Sequence, residues 1–447
     1  MSEIASAMPT KSFFIFTLVR DITVFDAILD LIDNAVDGAK RVSEQNSFDG
    51  LEINLTLEKE YFEIYDNCGG IDANNAKNYA FRFGKSKEDT ENKVTGSIGG
   101  FGVGMKRAIF KIGSYFEVNS IEKTSSFSLK VDLNAWQSDE DDQKWTFDFN
   151  TWNIGESNVK ANTFTQIIIK NLHHDSASEL SKSNIIDTLG TQIKKKHAES
   201  LEKGLKIKLN GINVQMADAF QLLSSTFITP IHRKFSLLNG QIDVTIYAGI
   251  SESSYTKCGW YISCNHRLVV EADKTENTGW GYSVKSDYEE DVPSSDVPRA
   301  HKQFSRFRGF IWFNSDDSTL LPWNTAKTDI NYESEIFKKI KPDMTGIMRN
   351  IIDFLNALDA EHDYSDKPLT NEVAKANSIP LKAINNETIA FTWRDHATLI
   401  TPKEKLATIS YKVKEEQANI AKELLGVVSN KEVGEKTFQY FLEQEAE

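Results

Sequence analysis

Three carboxylates and an amide lie at one-turn spacing in a short segment near the N-terminus. Residues 30–39 read Asp-Leu-Ile-Asp-Asn-Ala-Val-Asp-Gly-Ala, a pattern that predicts an amphipathic helix. Asp30 and Asn34 are four residues apart, as are Asp33 and Asp37, so each pair lies on one side of that helix. An amide oxygen can ligate a hard cation, and a neighbouring carboxylate can orient a water. Many surface helices carry such pairs, so the segment alone indicates a magnesium–phosphate site only weakly.

Two glycine-containing segments further along the chain strengthen this interpretation. Residues 64–71 read Ile-Tyr-Asp-Asn-Cys-Gly-Gly-Ile, an apolar strand that ends in a carboxylate and a Gly-Gly turn. Residues 96–107 read Gly-Ser-Ile-Gly-Gly-Phe-Gly-Val-Gly-Met-Lys-Arg, a glycine-rich loop that opens a helix. Glycine lets backbone N–H groups approach phosphates, and a helix N-terminus adds a partial positive charge. The second segment therefore predicts a phosphate-binding loop.

The three segments, in this order, resemble the GHKL ATPases, which include gyrase, a heat-shock chaperone, histidine kinases and MutL. The resemblance covers residues from about 12 to about 180 and implies ATP as ligand with Mg²⁺ as cofactor. It implies that Asn34 is the magnesium ligand and that Asp66, with Gly70 and Ile71, forms the adenine site. The other nucleotide-binding residues that it implies are Asp37, Gly99, Gly100, Phe101, Gly102, Val103, Gly104, Met105 and Lys106.

A fourth segment resembles the Gly-Thr strand that closes the adenine pocket in this family. In residues 164–172, Thr165 takes the threonine position, whereas Phe164 stands where glycine is usual. The same apolar run also predicts a buried β-strand. Cys68 departs from the family pattern too, since it occupies the first glycine position of the adenine turn, leaving Gly69 and Gly70 to make the bend.

The resemblance makes Asp30 the candidate general base, at a position where clamp-forming relatives usually have glutamate. Aspartate is one methylene shorter, so its carboxylate stops about 1.5 Å further from the water. General-base catalysis depends first on reach, so we expect slow hydrolysis. A non-hydrolysing nucleotide sensor is the alternative. Asp33, about 100° around the helix from Asn34, is expected to point away from the phosphates.

A second domain is indicated beyond residue 200 by several alternating strands, a predicted hairpin turning at Asn265-His266 and a long helix near residues 333–358. Between its last strand and that helix lies the loop 321–329. In several GHKL subgroups the second domain donates a basic residue to the γ-phosphate, and Lys327 resembles that catalytic lysine, as in the corresponding loop of MORC proteins, although its spacing from Asn324 differs. An exposed loop lysine is the alternative.

The predicted fold class is α+β. We expect a Bergerat-type ATPase α/β sandwich over residues 1–195, a transducer-like (ribosomal S5-like) α+β domain over 200–360, and a helical region over 365–447. The C-terminal helices would dock on this chain or on a partner.

Composition limits the class of partner. The chain has 447 residues and a net charge of −14, which argues against general adhesion to nucleic acid or anionic lipid. Residues 299–310 interleave basic and aromatic residues, and we favour an amphipathic strand with solvated arginines over a nucleic-acid groove there. Three cysteines suit a reducing cytoplasm, and no apolar run reaches a membrane span.

The resemblance implies an ATP-operated clamp, closest to MORC-like and MutL-like proteins, that forms an ATP-dependent homodimer. Its client would be DNA or a protein, in genome maintenance or phage defence by analogy with the fold. A histidine kinase is less favoured, because it would need a helix with a phospho-acceptor histidine before the ATPase segment, whereas only about 20 residues precede the first predicted helix and none of them is a histidine.

Overall fold

The computed structural model describes residues 9–43, 47–84, 96–99, 102–138, 145–155, 162–216, 220–281, 297–384, 387–388, 390–393 and 407–445. The chain divides into two compact units. The first comprises Met1–Asp359 and Leu369–His396, and the second comprises Ala360–Pro368 and Ala397–Glu447. The α+β class is confirmed, because helices cover mixed sheets. The boundaries proposed at residues 195 and 360 stay predictions.

The first unit contains an eight-stranded sheet with the order β5-β4-β3-β6-β2-β1-β7-β8. Neighbouring strands are antiparallel, apart from the parallel pair β1–β7. Side chains alternate between buried and partly exposed along β1, β2 and β6, as the two-residue period of a strand requires. The strands are β1 Glu52–Leu57, β2 Tyr61–Asp66, β3 Gly113–Ile121, β4 Ser125–Asp132, β5 Phe149–Ile154, β6 Phe164–Leu172, β7 Lys206–Leu209 and β8 Ile212–Asn213.

Helix α2 is the central helix of this half of the unit. A capping box starts it, in which Thr23 and Asp26 each accept a backbone N–H from the other. Its apolar residues are almost fully buried, and it packs against α4. The helices are α1 Lys11–Val19, α2 Val24–Val42, α3 Ala73–Asn75, α4 Gly104–Ile112, α5 Leu133–Gln137, α6 His174–Leu180, α7 Ile185–Lys196 and α8 Ala198–Glu202.

A five-stranded sheet with the order β11-β12-β15-β13-β14 follows in the same unit. The predicted hairpin is confirmed: β13 and β14 are antiparallel, and Asn265 and His266 take left-handed φ angles of 46° and 70° at the turn. The later strands are β9 Gln221–Ser224, β10 Ile228–Thr229, β11 Ile231–Leu237, β12 Ile242–Ile250, β13 Gly259–Cys264, β14 Arg267–Asp273, β15 Phe307–Asn314, β16 Asn377–Pro380 and β17 Thr392–Trp393.

The second sheet is covered on both faces. Helix α9, Glu335–Ala360, packs on one face, where the Trp260 indole donates to the sulfur of Met348 at 3.1 Å. On the other face, aromatic residues of β12, β13 and β15 form an apolar cluster with Leu222 of β9 and Leu381, which follows β16. Strands β9 and β16 pair with each other, so the chain after α10, Pro368–Lys375, returns to close this face.

The expectation of solvated arginines in residues 299–310 is wrong for Arg308. Its side chain is buried and donates to the backbone carbonyls of Phe307 and Ser305, at 2.7 and 2.9 Å, and of Glu252, at 3.0 Å. Because these carbonyls satisfy the guanidinium, the arginine braces the start of β15 instead of facing a ligand.

The second unit contains the helices α11, Glu415–Leu425, and α12, Asn430–Glu445, as the apolar pattern predicts. Ser429 and Glu432 form a capping box at the start of α12. The helices contact each other, and neither contains a buried residue. Within the described part of the chain, no helix combines the length and the apolar character needed to cross a membrane.

Candidate functional site

Three polar side chains lie side by side at one edge of the first sheet, on three neighbouring strands. Asp66 on β2 lies directly opposite Thr165 on β6, which lies opposite Ser120 on β3. All three are buried, with Asp66 7% exposed. Burial raises the pKa of Asp66 to about 6, although its carboxylate accepts the Cys68 N–H at 2.9 Å. The strand pairing thus brings together two predicted adenine-site residues, Asp66 and Thr165.

The turn after β2 is tightly fixed against the sheet. Gly69 and Gly70 have φ angles of 94° and 71°, so the Gly-Gly bend forms as predicted despite Cys68. A Cβ on Gly70 would lie 2.1 Å from the carbonyl oxygen of Ile121, so only glycine fits there. The N–H of Ile71 donates to the hydroxyl of Ser120 at 2.7 Å.

The two α2 side chains predicted to bind the nucleotide, Asn34 and Asp37, differ in their exposure to solvent. Asn34 is exposed, whereas Asp37 is buried and accepts the N–H groups of Ile98 and Gly99, each at 2.7 Å. A Cβ on Gly99 would lie 3.1 Å from a carboxylate oxygen of Asp37 and 3.6 Å from the amide oxygen of Asn34. Gly99 therefore lies close to the side chains of the exposed Asn34 and the buried Asp37, whose oxygens are of the type that Mg²⁺ prefers.

The later part of the glycine-rich loop leads into α4. Gly100 and Phe101 lie outside the described residues. Gly102 has a φ of 69°, and Gly104 is the first residue of α4. A Cβ on Gly104 would come within 3.5 Å of the Asp30 carboxylate, so the start of α4 lies beside the candidate base.

The remaining residues predicted for this loop are engaged with the protein. Val103 precedes α4, and Met105 is buried. Lys106 is also buried, and its ammonium donates to the carbonyls of Ala80 at 2.8 Å and Gly102 at 2.5 Å. Lys106 therefore shapes the loop in this structure.

Five charged side chains form a buried cluster between α2, α4 and the second sheet, here named the charge cluster. The Lys327 ammonium donates to Asp30 at 3.1 Å and to Asp33 at 2.8 Å. Arg107 of α4 donates to the second oxygen of Asp30 at 2.6 Å, and the Nε of Arg267 donates to Asp33 at 2.8 Å. Each of the five is at most 5% exposed. The predicted base and the predicted phosphate-sensing lysine are thus in direct contact.

The protonation states in this cluster follow from its ion pairs. Burial alone would raise the pKa of Asp33, but Arg267 and Lys327 outweigh burial and hold it well below its usual range. Burial likewise opposes the charge on Lys327, yet Asp30 and Asp33 raise its pKa. Burial lowers the pKa of His197, 3.5 Å from Asp33, to about 3, so this imidazole is neutral. In the part of the chain that the structure describes, these ion pairs therefore join three cations to two carboxylates.

The loop that carries Lys327 is fixed through its backbone. Lys327 has a left-handed φ of 54°, and its N–H donates to the carbonyl of Asn324 at 3.0 Å. Arg267 donates to the Lys327 carbonyl at 2.6 Å, and Arg107 donates to the Thr325 carbonyl at 3.1 Å. Each of the two arginines thus binds both a carboxylate of α2 and a backbone carbonyl of residues 321–329, here named the lysine loop.

The sequence did not identify three of these neighbours, namely Arg107, Arg267 and His197. Arg107 directly follows the predicted loop residues, and that adjacency was an available signal; the other two come from distant segments. The expectation that Asp33 points away from the phosphates stays a prediction. Asp33 shares Lys327 with Asp30, because positions three apart also lie on one side of a helix.

Comparison with known proteins gives one family. The model of the family described as histidine kinase-, DNA gyrase B-, and HSP90-like ATPase matches residues 22–165. This range begins just before α2 and ends at Thr165, so it spans every predicted site residue except Lys327. No curated protein matches the chain. Residues 22–165 of this chain therefore match the ATPase domain of the GHKL superfamily.

Proposed function

We propose that this protein binds ATP with Mg²⁺ between α2, the Gly69-Gly70 turn and the glycine-rich loop, and that it hydrolyses ATP slowly. Asp66, Thr165, Gly70 and Ile71 would receive the adenine, and Asn34 would hold Mg²⁺, which neutralises phosphate charge when bound. The phosphates would lie along residues 99–106. The family match and the exposed Asn34 amide beside Gly99 support this assignment.

The contact of Lys327 with Asp30 carries the catalytic part of the proposal. Each oxygen of the Asp30 carboxylate already accepts a hydrogen bond, one from Lys327 and the other from Arg107, so a water must compete with these donors for the carboxylate. A γ-phosphate offers Lys327 another anionic partner. If Lys327 binds that phosphate, one oxygen of Asp30 becomes available to orient and deprotonate water, while Arg107 still holds the other oxygen. ATP would then activate its own hydrolysis.

We further propose an ATP-operated clamp of the MORC-like or MutL-like type, which forms a homodimer in the cytoplasm and acts on DNA or a protein. The second sheet would be its transducer, since Lys327 follows β15 of that sheet and reaches α2. The net charge of −14 favours a protein client or a locally basic DNA contact over general electrostatic adhesion.

The adenine assignment predicts a pH-dependent affinity. The ionised Asp66 carboxylate is the better acceptor for the adenine amino group, and its pKa is about 6. Affinity should therefore fall by about tenfold from pH 7 to pH 5, where such a group is roughly nine-tenths protonated. Calorimetry of ATP binding at both pH values measures this.

Asp66→Asn is the matched control, because the phosphates of ATP also titrate near pH 6. The variant should bind at least about tenfold more weakly at pH 7, and it should retain only the ligand's own pH dependence. Equal affinity and an equal pH profile in both proteins would contradict the adenine assignment.

The phosphate-sensing assignment predicts a nucleotide-specific effect of Lys327→Ala. Loss of one charge-assisted hydrogen bond should weaken ATP by about 10- to 100-fold and leave ADP nearly unchanged. The fold should persist, since Arg107 and Arg267 keep a partner for each carboxylate. Lys327→Arg should restore part of the affinity. Equal losses for ATP and ADP would give Lys327 a structural role only.

The base assignment predicts that Asp30→Asn lowers hydrolysis by about 10²–10⁴-fold while ATP still binds. Asp30→Glu should increase the rate if reach is the limiting defect. Asp33→Asn is the control on the same helix, and calorimetric ATP binding verifies that each variant is folded. Loss of turnover in Asp33→Asn alone would make Asp33 the base. A wild type that binds ATP without turnover would be an ATP-gated binder.

The clamp proposal predicts that a non-hydrolysable ATP analogue with Mg²⁺ doubles the mass measured by light scattering. The test should be repeated after deletion of residues 407–447. This deletion removes α11 and α12 but keeps β16 and β17, which pair with β9 and β10 of the first unit. A mass that does not respond to the analogue in either protein would exclude the ATP-driven clamp.

A further inference from the structure

The β13–β14 turn of the second sheet reaches the glycine-rich loop. Asn265 is fully buried, and its amide NH₂ donates to the carbonyl of Ser97 at 2.7 Å and to that of Ser315 at 2.9 Å. Its amide oxygen accepts the N–H of Ser315 at 2.9 Å. Because Ser315 directly follows β15, this one side chain connects the central strand of the second sheet to the loop.

The loop segment 96–99 is thus held from two sides. On the side of α2, Lys40 donates to the Gly96 carbonyl at 2.6 Å, and Asp37 accepts the next two backbone N–H groups that follow Ser97. On the other side, Asn265 binds the Ser97 carbonyl. Gly99 of this segment lies beside the exposed Asn34 amide, so a nucleotide phosphate bound at Asn34 would contact the segment.

The next two residues of the turn, His266 and Arg267, bind helices that pack with the first sheet. His266 pairs with Glu199 of α8 at 2.6 Å, and Arg267 binds Asp33 of α2 and the Lys327 carbonyl. Three consecutive residues therefore contact the glycine-rich loop, α8, α2 and the lysine loop. Asn265 and His266 both adopt the left-handed backbone of a tight hairpin turn.

We infer that the Asn265–Arg267 turn is a second connection between the nucleotide site and the second sheet, one that responds to any bound nucleotide through residues 96–99. Lys327 would respond to the γ-phosphate alone, whereas the turn would also respond to ADP. Asn265 is then a positioning residue for the phosphate-binding loop. This inference rests on the proposed nucleotide binding. Because coupling is reciprocal, a ligand that fixes residues 96–99 must also fix the turn.

Hydrogen exchange of the full-length protein with MgADP tests this connection. ADP lacks the γ-phosphate, so Lys327 does not respond to it and only the connection through the turn is tested. In wild type, MgADP should slow exchange in β13 and β14, residues 259–273. Asn265→Gly tolerates the left-handed φ and removes the amide, and it should abolish that protection. Without nucleotide, the same variant should exchange the N–H groups of residues 98 and 99 about five- to tenfold faster, the effect of one lost hydrogen bond.

Asn239→Gly is the matched control, because Asn239 also has a left-handed φ, of 56°, in a turn of the same sheet, but it is exposed. It should leave both readouts unchanged. The inference is overturned if wild type binds MgADP without slower hydrogen exchange in β13 and β14. It is also overturned if Asn265→Gly leaves the exchange of residues 98 and 99 unchanged. If calorimetry detects no MgADP binding, the proposed function is refuted instead. The exchange of residues 98 and 99 without nucleotide, compared between wild type and Asn265→Gly, then still shows whether Asn265 holds the loop.

Discussion

The ion pairs of Lys327 with Asp30 and Asp33 are the interaction on which the site depends. A buried charge without a partner costs several kcal/mol, about 3–5 when one member of a buried pair is removed. Lys327 can therefore leave its carboxylates only for another anion. The charge cluster makes that exchange feasible, because Arg107 and Arg267 remain on Asp30 and Asp33. A third cation shared by two satisfied carboxylates is suited to bind an incoming phosphate.

Helix α2 fixes the positions of these carboxylates, because its apolar residues pack in the core while its acidic residues contact other elements. Residues such as Ile28 and Ile32 are fully buried in the core, which fixes the rotation of the helix. That rotation determines which element each carboxylate meets: Asp30 meets Arg107 of α4, Asp33 meets Arg267 of β14, and Asp37 meets the glycine-rich loop. A single amphipathic helix therefore sets the relative positions of three elements around the predicted nucleotide.

The sequence allowed prediction of local structure and of the family, because both depend on short-range patterns. The hairpin at Asn265-His266, the helix after the glycine-rich loop and the bend at Gly69-Gly70 follow from turn chemistry and periodicity. The partners within the charge cluster could not be predicted. Arg267 and Asp33 are 234 residues apart, and neither a lone arginine nor an aspartate on a helix has a local feature that identifies its partner. Burial of Arg308 was also missed, although two of the carbonyls that it binds belong to the nearby residues Ser305 and Phe307.

The segment that matches the ATPase family, residues 22–165, depends on the second sheet to pair one of its buried charges. Asp33 lies within the matched range 22–165 and is fully buried, yet its described ion-pair partners Arg267 and Lys327 both lie beyond that range. Without the second sheet, Asp33 would face solvent or remain unpaired. Asn265 adds a neutral contact of the same kind to the glycine-rich loop. The two sheets therefore stabilise one another through the residues proposed to bind nucleotide, so any ligand that reorganises these residues must also change how the sheets are held together.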